Sequence, residues 1–121
     1  MIGFLKSLFG FGAESVDPQE AVRRINQGAV MVDVREAGEF ASGHAPDTRL
    51  LPLSRIRAEG VAAVAALGLP DAAQVLLICR SGMRSRLAQS TLSADATRRY
   101  VNVAGGMSAW EASGLPIVRK H

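Results

Sequence analysis

Apolar and polar positions along the chain fall into short runs of two kinds. Ala29-Val30-Met31-Val32-Asp33-Val34 and Gln74-Val75-Leu76-Leu77-Ile78 are almost continuously apolar and rich in branched side chains, the pattern of strands covered on both faces. Tyr100-Val101-Asn102-Val103 predicts a third strand, and Leu50-Leu51-Pro52-Leu53 a brief fourth. Helical patterns alternate with them. Asp17-Pro18-Gln19-Glu20 reads as a helix start, with Asp as N-cap, Pro at the first helical position and Glu completing a capping box. Ala21, Val22 and Ile25 supply that helix's apolar stripe, and Gly28 is placed to end it. A helical turn is expected over Glu36–Ala41, then a loop punctuated by Gly43 and Pro46. The alanine-rich stretch from Ile56 to Leu67 is helix-prone, broken by Gly60 and closed by Gly68 and Pro70. Ser85 to Ala94 carries Leu87, Ala88, Thr91 and Leu92 on one face, and a last helix is expected over Met107–Ser113 after a Gly105-Gly106 turn. Apolar strands alternating with helices predict a single α/β domain whose central, mainly parallel sheet of about five strands is flanked by helices.

The first residues, MIGFLKSLFGFG, differ from this pattern. On a helical wheel Ile2, Phe4, Leu5, Leu8, Phe9 and Phe11 share one half, and Gly3, Lys6, Ser7 and Gly10 the other. Residues 1–13 therefore read as an amphipathic segment preceding a domain over 14–119. Residues 2–11 could dock on a membrane surface or a partner; packing back on the chain's own domain, or fraying, is the preferred reading. A secretory signal fits poorly, because no basic region comes first and no small-x-small cleavage site follows. No apolar run approaches the roughly 20 residues of a membrane-spanning helix.

Composition narrows the class. With 48% hydrophobic residues in 121, a packed core is expected and a disordered chain is excluded. The single cysteine excludes an internal disulfide framework and a multi-cysteine zinc site. A chain that folds without a bridge suits a reducing, cytoplasmic compartment. A formal net charge of +3 with a pI near 9.8 raises the question of nucleic acid. The arginines, however, are scattered from Arg23 to Arg119 among acidic residues, and aromatics are only 5%. Nucleic-acid binders concentrate charge on one face and interleave aromatics for stacking. No nucleic-acid partner is expected; a positive field that attracts a small anion is the better reading.

The candidate chemistry sits where one buried strand ends. In open α/β sheets ligands bind beyond the carboxyl ends of the strands. Cys79 occupies such an end, followed by Arg80-Ser81-Gly82-Met83-Arg84-Ser85 and a helix. A tight glycine-containing loop turns successive amides toward one point, and the helix start adds its own unpaired amides. Arg80 and Arg84 add positive charge. Together these are expected to favour thiolate over thiol and make Cys79 a nucleophile for an anionic substrate. A lone buried cysteine is commonly just a small hydrophobe; the company of Ser, Gly and two Arg argues against that here.

Cys79-Arg80-Ser81-Gly82-Met83-Arg84-Ser85 resembles the active-site loop of rhodanese-like sulfurtransferases. Val32-Asp33-Val34-Arg35 with Glu39-Phe40 and Gly43-His44, and Gly105-Gly106-Met107-Ser108-Ala109-Trp110, resemble that family's other segments in the same order. One departure is Ala45-Pro46-Asp47-Thr48-Arg49-Leu50, where the family usually has an Ile-x-Gly-Ala-x-Asn-like run. The resemblance implies that Cys79 takes the outer sulfur of a donor such as thiosulfate as a persulfide and passes it to cyanide, a thiol or a protein acceptor. It implies that the loop amides cradle the sulfur, that Arg84 helps hold the donor, and that no metal or organic cofactor is needed. Arg80 is expected to contribute field more than contact, and Met83 to shape the pocket mouth or touch an acceptor protein. With one cysteine, the acceptor must come from outside the chain. In related phosphatases an Arg lies six positions after the Cys; here that position is Ser85, so the resemblance argues against phosphatase activity. Asp33 and Arg35 are expected as a structural ion pair supporting the site, with orientation of the loop by Asp33 as the alternative. His44 is expected as a structural histidine rather than a base. A persulfide carrier without turnover, and a cysteine redox sensor, stay open as other functions.

Overall fold

A computed structural model describes residues 13–119; the N-terminal amphipathic segment over 2–11 lies outside them. The elements in chain order are β1 (Ser15–Val16), α1 (Pro18–Ile25), β2 (Val30–Asp33), α2 (Ala37–Ser42), β3 (Arg49–Leu50), α3 (Leu53–Glu59), α4 (Val61–Ala65), β4 (Val75–Ile78), α5 (Met83–Leu92), β5 (Tyr100–Val103) and α6 (Gly106–Ala112). The strands form one five-stranded sheet in the order β1-β5-β4-β2-β3, and every pairing is parallel. This is the expected α/β domain with a central sheet flanked by helices.

The continuous apolar runs became the central strands because both sheet faces are covered. Along β4, Val75, Leu77 and then Cys79 face the cluster that includes Ile56, Val64, Ala88 and Leu92 of α3, α4 and α5. Leu76 and Ile78 face the opposite cluster with Ala21 of α1 and Met107 and Trp110 of α6. Alternate residues thus feed two cores, and Cys79 continues the alternation one residue past the strand. The α1 start follows its sequence signals in part. Asp17 caps the Glu20 amide at 2.8 Å and Pro18 opens the helix. Glu20 does not complete a capping box: its carboxylate is taken by Arg23 and Arg24, whose charged donors outcompete a backbone N–H.

Three other details differ from expectation. The brief strand is Arg49–Leu50, not a run through Leu53; Pro52 cannot donate to a ladder and instead precedes α3. Gly60 breaks the alanine-rich stretch into α3 and α4 as expected, but α3 starts earlier, at Leu53 rather than Ile56. Ser15–Val16 adds an edge strand beside β5 that no apolar run announces.

Candidate active site

The carboxyl ends of β4, β5 and β2 lie side by side, with Asp33 in register with Ile78 and Leu77 with Asn102. Cys79 leaves β4 at this edge and the chain turns through Gly82, whose left-handed backbone (φ 102°) no other residue type adopts as cheaply. The turn points amides back at the sulfur. Gly82 N–H donates to Cys79 Sγ at 3.0 Å and Ser85 N–H at 3.4 Å, while Ser85 Oγ lies 3.4 Å from Sγ. From below, α6 holds the loop: Met107 N–H donates to the Cys79 carbonyl at 2.7 Å and Ser108 N–H to the Arg80 carbonyl at 3.1 Å. That approach requires Gly106, where a Cβ would lie 2.3 Å from the Cys79 carbonyl oxygen.

Cys79 is 1% exposed. Burial pushes its thiol pKa up, but the hydrogen bonds of the Ser85 hydroxyl and of the Ser85, Gly82 and Ser81 amides outweigh that, and the net shift is downward from 9.0. The dominant stabilisers are therefore amides and a hydroxyl. The two arginines, expected to add positive charge around the sulfur and, for Arg84, to help hold the donor, are each paired with a glutamate. Arg84 forms a two-pronged pair with Glu39 of α2, at 2.7 and 2.9 Å. Arg80 reaches Glu111 of α6 at 3.2 Å, in an exposed pair. Neither glutamate was singled out from the sequence as a charge partner, since 45 and 31 residues separate the members of each pair.

The remaining candidates fall into two groups. Ser81 and Met83 project outward, Met83 being 73% exposed. Asp33 and Arg35 form a fully buried ion pair at 2.8 Å, and Arg35 also donates to the Gly43 carbonyl. Arg35 further takes its own backbone N–H to Asp33. These bonds fasten β2 to the α2 exit and contribute no donor to the 79–85 loop. His44 is structural as expected: Nδ1 lies 2.7 Å from the Phe40 carbonyl, and its ring stacks on Phe40 at 3.7 Å. Behind the site stands Asn102, fully buried on β5 and bonded to Ser85 Oγ at 2.5 Å and to Ser15 Oγ at 3.1 Å. Its sequence signal was a single amide inside an otherwise apolar strand.

The rhodanese-like domain pattern matches residues 17–113, most of the chain. The chain belongs to the rhodanese-like domain family. A sulfurtransferase of Allochromatium vinosum is 32% identical over 105 residues, covering 85% of this chain and 92% of that protein. The thiosulfate sulfurtransferase GlpE of Pseudomonas savastanoi is 32% identical over 98 residues, 81% of this chain and 87% of that one. Among solved structures, a rhodanese-related protein from Thermoplasma volcanium superposes with a TM-score of 0.74 at 26% identity, covering 88% of this chain and 99% of its own. These relatives place the rhodanese-like chain among the sulfurtransferases. Among the described residues no group of three or more His, Cys, Asp or Glu is arranged to hold a metal ion, and no helix is long and apolar enough to cross a membrane.

Proposed function

We propose that this rhodanese-like chain moves the sulfane sulfur of thiosulfate, or a similar anionic donor, to cyanide, a thiol or a protein acceptor through a persulfide on Cys79. The observation that carries the reading is the cradle itself: a cysteine sulfur at a strand end that receives two backbone N–H groups from the turn and first residues of α5. Such preorganised donors stabilise anionic sulfur without reorganising during reaction. The Cys79 thiolate attacks the outer sulfur of thiosulfate, a sulfur–sulfur bond forms on Sγ, and the bond to the sulfonate breaks with its electron pair, releasing sulfite. Cyanide or a thiolate then attacks the outer sulfur of the persulfide and the Cys79 thiolate leaves. The second acceptor is external because the chain holds one cysteine.

The test is intact-mass spectrometry of the reduced protein after brief exposure to thiosulfate, followed by cyanide. A gain of one sulfur on the wild type, absent from Cys79→Ser and discharged as thiocyanate, is the expected result. A gain that cyanide cannot discharge would instead mark a carrier that needs a partner protein. No gain overturns the thiosulfate reading.

A further inference from the structure

The Ser85 hydroxyl has one proton and two claimants. Its oxygen lies 2.5 Å from Asn102 Oδ1 and 3.4 Å from Cys79 Sγ. A serine hydroxyl donates once and accepts twice, so it cannot give its proton to both. While Cys79 is a thiol, the shorter contact assigns the proton to Asn102, leaving a lone pair of Ser85 Oγ toward the sulfur. That arrangement suits a thiol, whose S–H can donate to Ser85. A thiolate or persulfide has no proton to donate and needs the Ser85 proton turned toward it.

Asn102 is in turn held. Its Nδ2 donates to Ser15 Oγ at 3.1 Å, which presents Oδ1 toward Ser85. Asn102 and Ser85 are fully buried, so water does not arbitrate between the claimants. The chain Ser15–Asn102–Ser85–Cys79 thus runs from the edge strand β1 through β5 to the candidate nucleophile. We propose that Asn102 is a positioning residue that competes with the Cys79 sulfur for the single proton of Ser85 and thereby holds back the reactivity of the free thiol. The proposal deepens the sulfur-transfer reading by naming what regulates its nucleophile, but it concerns thiol reactivity and can be tested without any sulfur donor.

Other charges lie around the sulfur and are accounted for. Arg84 on α5 is paired with Glu39, Arg80 in the loop with Glu111 of α6, and Arg35 with Asp33 at the end of β2. Each keeps its own partner in any variant of the hydroxyl chain.

The experiment is the pH dependence of iodoacetamide alkylation of Cys79 in the full chain, for wild type, Ser85→Ala, Asn102→Ala and the double variant. Ser85→Ala should move the midpoint of the alkylation profile upward, since the thiolate loses the hydroxyl proton it draws away from Asn102. Asn102→Ala should move it downward by about half a unit or more, because the freed hydroxyl can donate to a charged acceptor. In the double variant the profile should coincide with Ser85→Ala alone, because Asn102 acts only through Ser85. Ser15→Ala provides a milder perturbation should Asn102→Ala fail to fold. Without Ser15 the amide can turn Nδ2 toward Ser85, since an unpaired buried carbonyl is better tolerated than an unpaired N–H, and the midpoint should again fall. An unchanged or raised midpoint in whichever of Asn102→Ala and Ser15→Ala folds, or an Asn102 effect that persists in the Ser85→Ala background, overturns the proposal. None of these outcomes depends on whether thiosulfate is a donor, so failure here and failure of the mass-spectrometric test are distinguishable.

Discussion

Glu39 grips Arg84 with both carboxylate oxygens, at 2.7 and 2.9 Å, and so occupies the loop arginine that the proposed function assigns to the anionic donor. The pair is half-exposed, with side chains 36% and 38% accessible, and it tethers α2 to the first turn of α5. On that proposal an incoming donor has to share or displace Glu39. The carboxylate is therefore a built-in competitor, and the loop's apparent excess of positive charge is largely cancelled.

Glu39→Gln should lower the Michaelis constant for thiosulfate, and Arg84→Ala should raise it, in steady-state assays of thiocyanate formation. Exposed ion pairs contribute about 0.2–1 kcal/mol, so the gain from Glu39→Gln is at most about fivefold. A Michaelis constant unaltered by Arg84→Ala would remove Arg84 from donor binding. The pair also has a pH signature. The Arg84 hydrogen bonds hold the Glu39 carboxyl at about 2, well below its ordinary 4.5. A depressed carboxyl contributes stability that is fully present above the ordinary value and lost as pH falls through the folded one. The stability difference between wild type and Glu39→Gln should accordingly be constant above about pH 5 and shrink between 4.5 and 2.

Cys79 should alkylate along a single titration whose midpoint lies below 9.0, since hydrogen bonds to the sulfur outweigh its burial. Lowering the thiol pKa enlarges the thiolate fraction at any pH beneath the ordinary value, so the acid limb of the rate profile shifts down and the plateau begins earlier. Iodoacetamide kinetics from pH 5 to 10 check this. A midpoint at or above 9.0 would mean that the amides do not reach the sulfur in solution. Cys79→Ser should abolish both alkylation and sulfur gain.

The sequence patterns that proved legible are those in which one segment carries its whole explanation. Val75–Ile78 is apolar throughout because both faces are buried, and the loop from Cys79 to Ser85 holds its own turn residue and its own amides. What stayed hidden depends on segments far apart in the chain. Glu39 meets Arg84 across 45 residues and Asn102 meets Ser15 across 87, and no local periodicity encodes either meeting. The arginines illustrate the cost of reading locally: their positive charge was plain, but their partners on α2 and α6 were not. Ser15–Val16 is too short to leave a strand pattern and exists only because β5 offers it a free edge.

Arg35→Met should destabilise the domain by about 3–5 kcal/mol in urea unfolding, because it strands the Asp33 carboxylate without its partner inside the protein. Changing Asp33→Val together with Arg35→Met should cost less than Arg35→Met alone. The pair is incompletely compensated as it stands: Arg35 Nη1 is buried and finds no hydrogen-bond partner among the described residues. Removing both charges releases their desolvation cost as well as their attraction. A double variant less stable than the single one would mean that the bond from the residue 35 backbone N–H to the Asp33 carboxylate, rather than the ion pair, carries the local structure.

Gly106→Ala tests how the floor of the active-site loop is built. A methyl group there would lie 2.3 Å from the Cys79 carbonyl oxygen and 2.7 Å from that of Arg80. Both atoms belong to backbone that cannot swing aside as a side chain tip would. The residue also sits at φ 55°, where a side chain adds strain. Relief requires α6 to withdraw from the loop, which breaks the bonds from Met107 and Ser108 to those same carbonyls. The expected cost is about 2–4 kcal/mol in urea unfolding, from overpacking and lost hydrogen bonds together. Because the Cys79 carbonyl and its sulfur move as one residue, the iodoacetamide profile should shift toward the ordinary thiol value in the folded variant. Gly114→Ala is the control: its φ is also positive, at 75°, but nothing lies within 4 Å of a Cβ there. It should show the conformational cost alone and leave the alkylation profile unchanged. If Gly106→Ala loses stability while its profile matches that of the wild type, the cradle is set by α5 without help from α6.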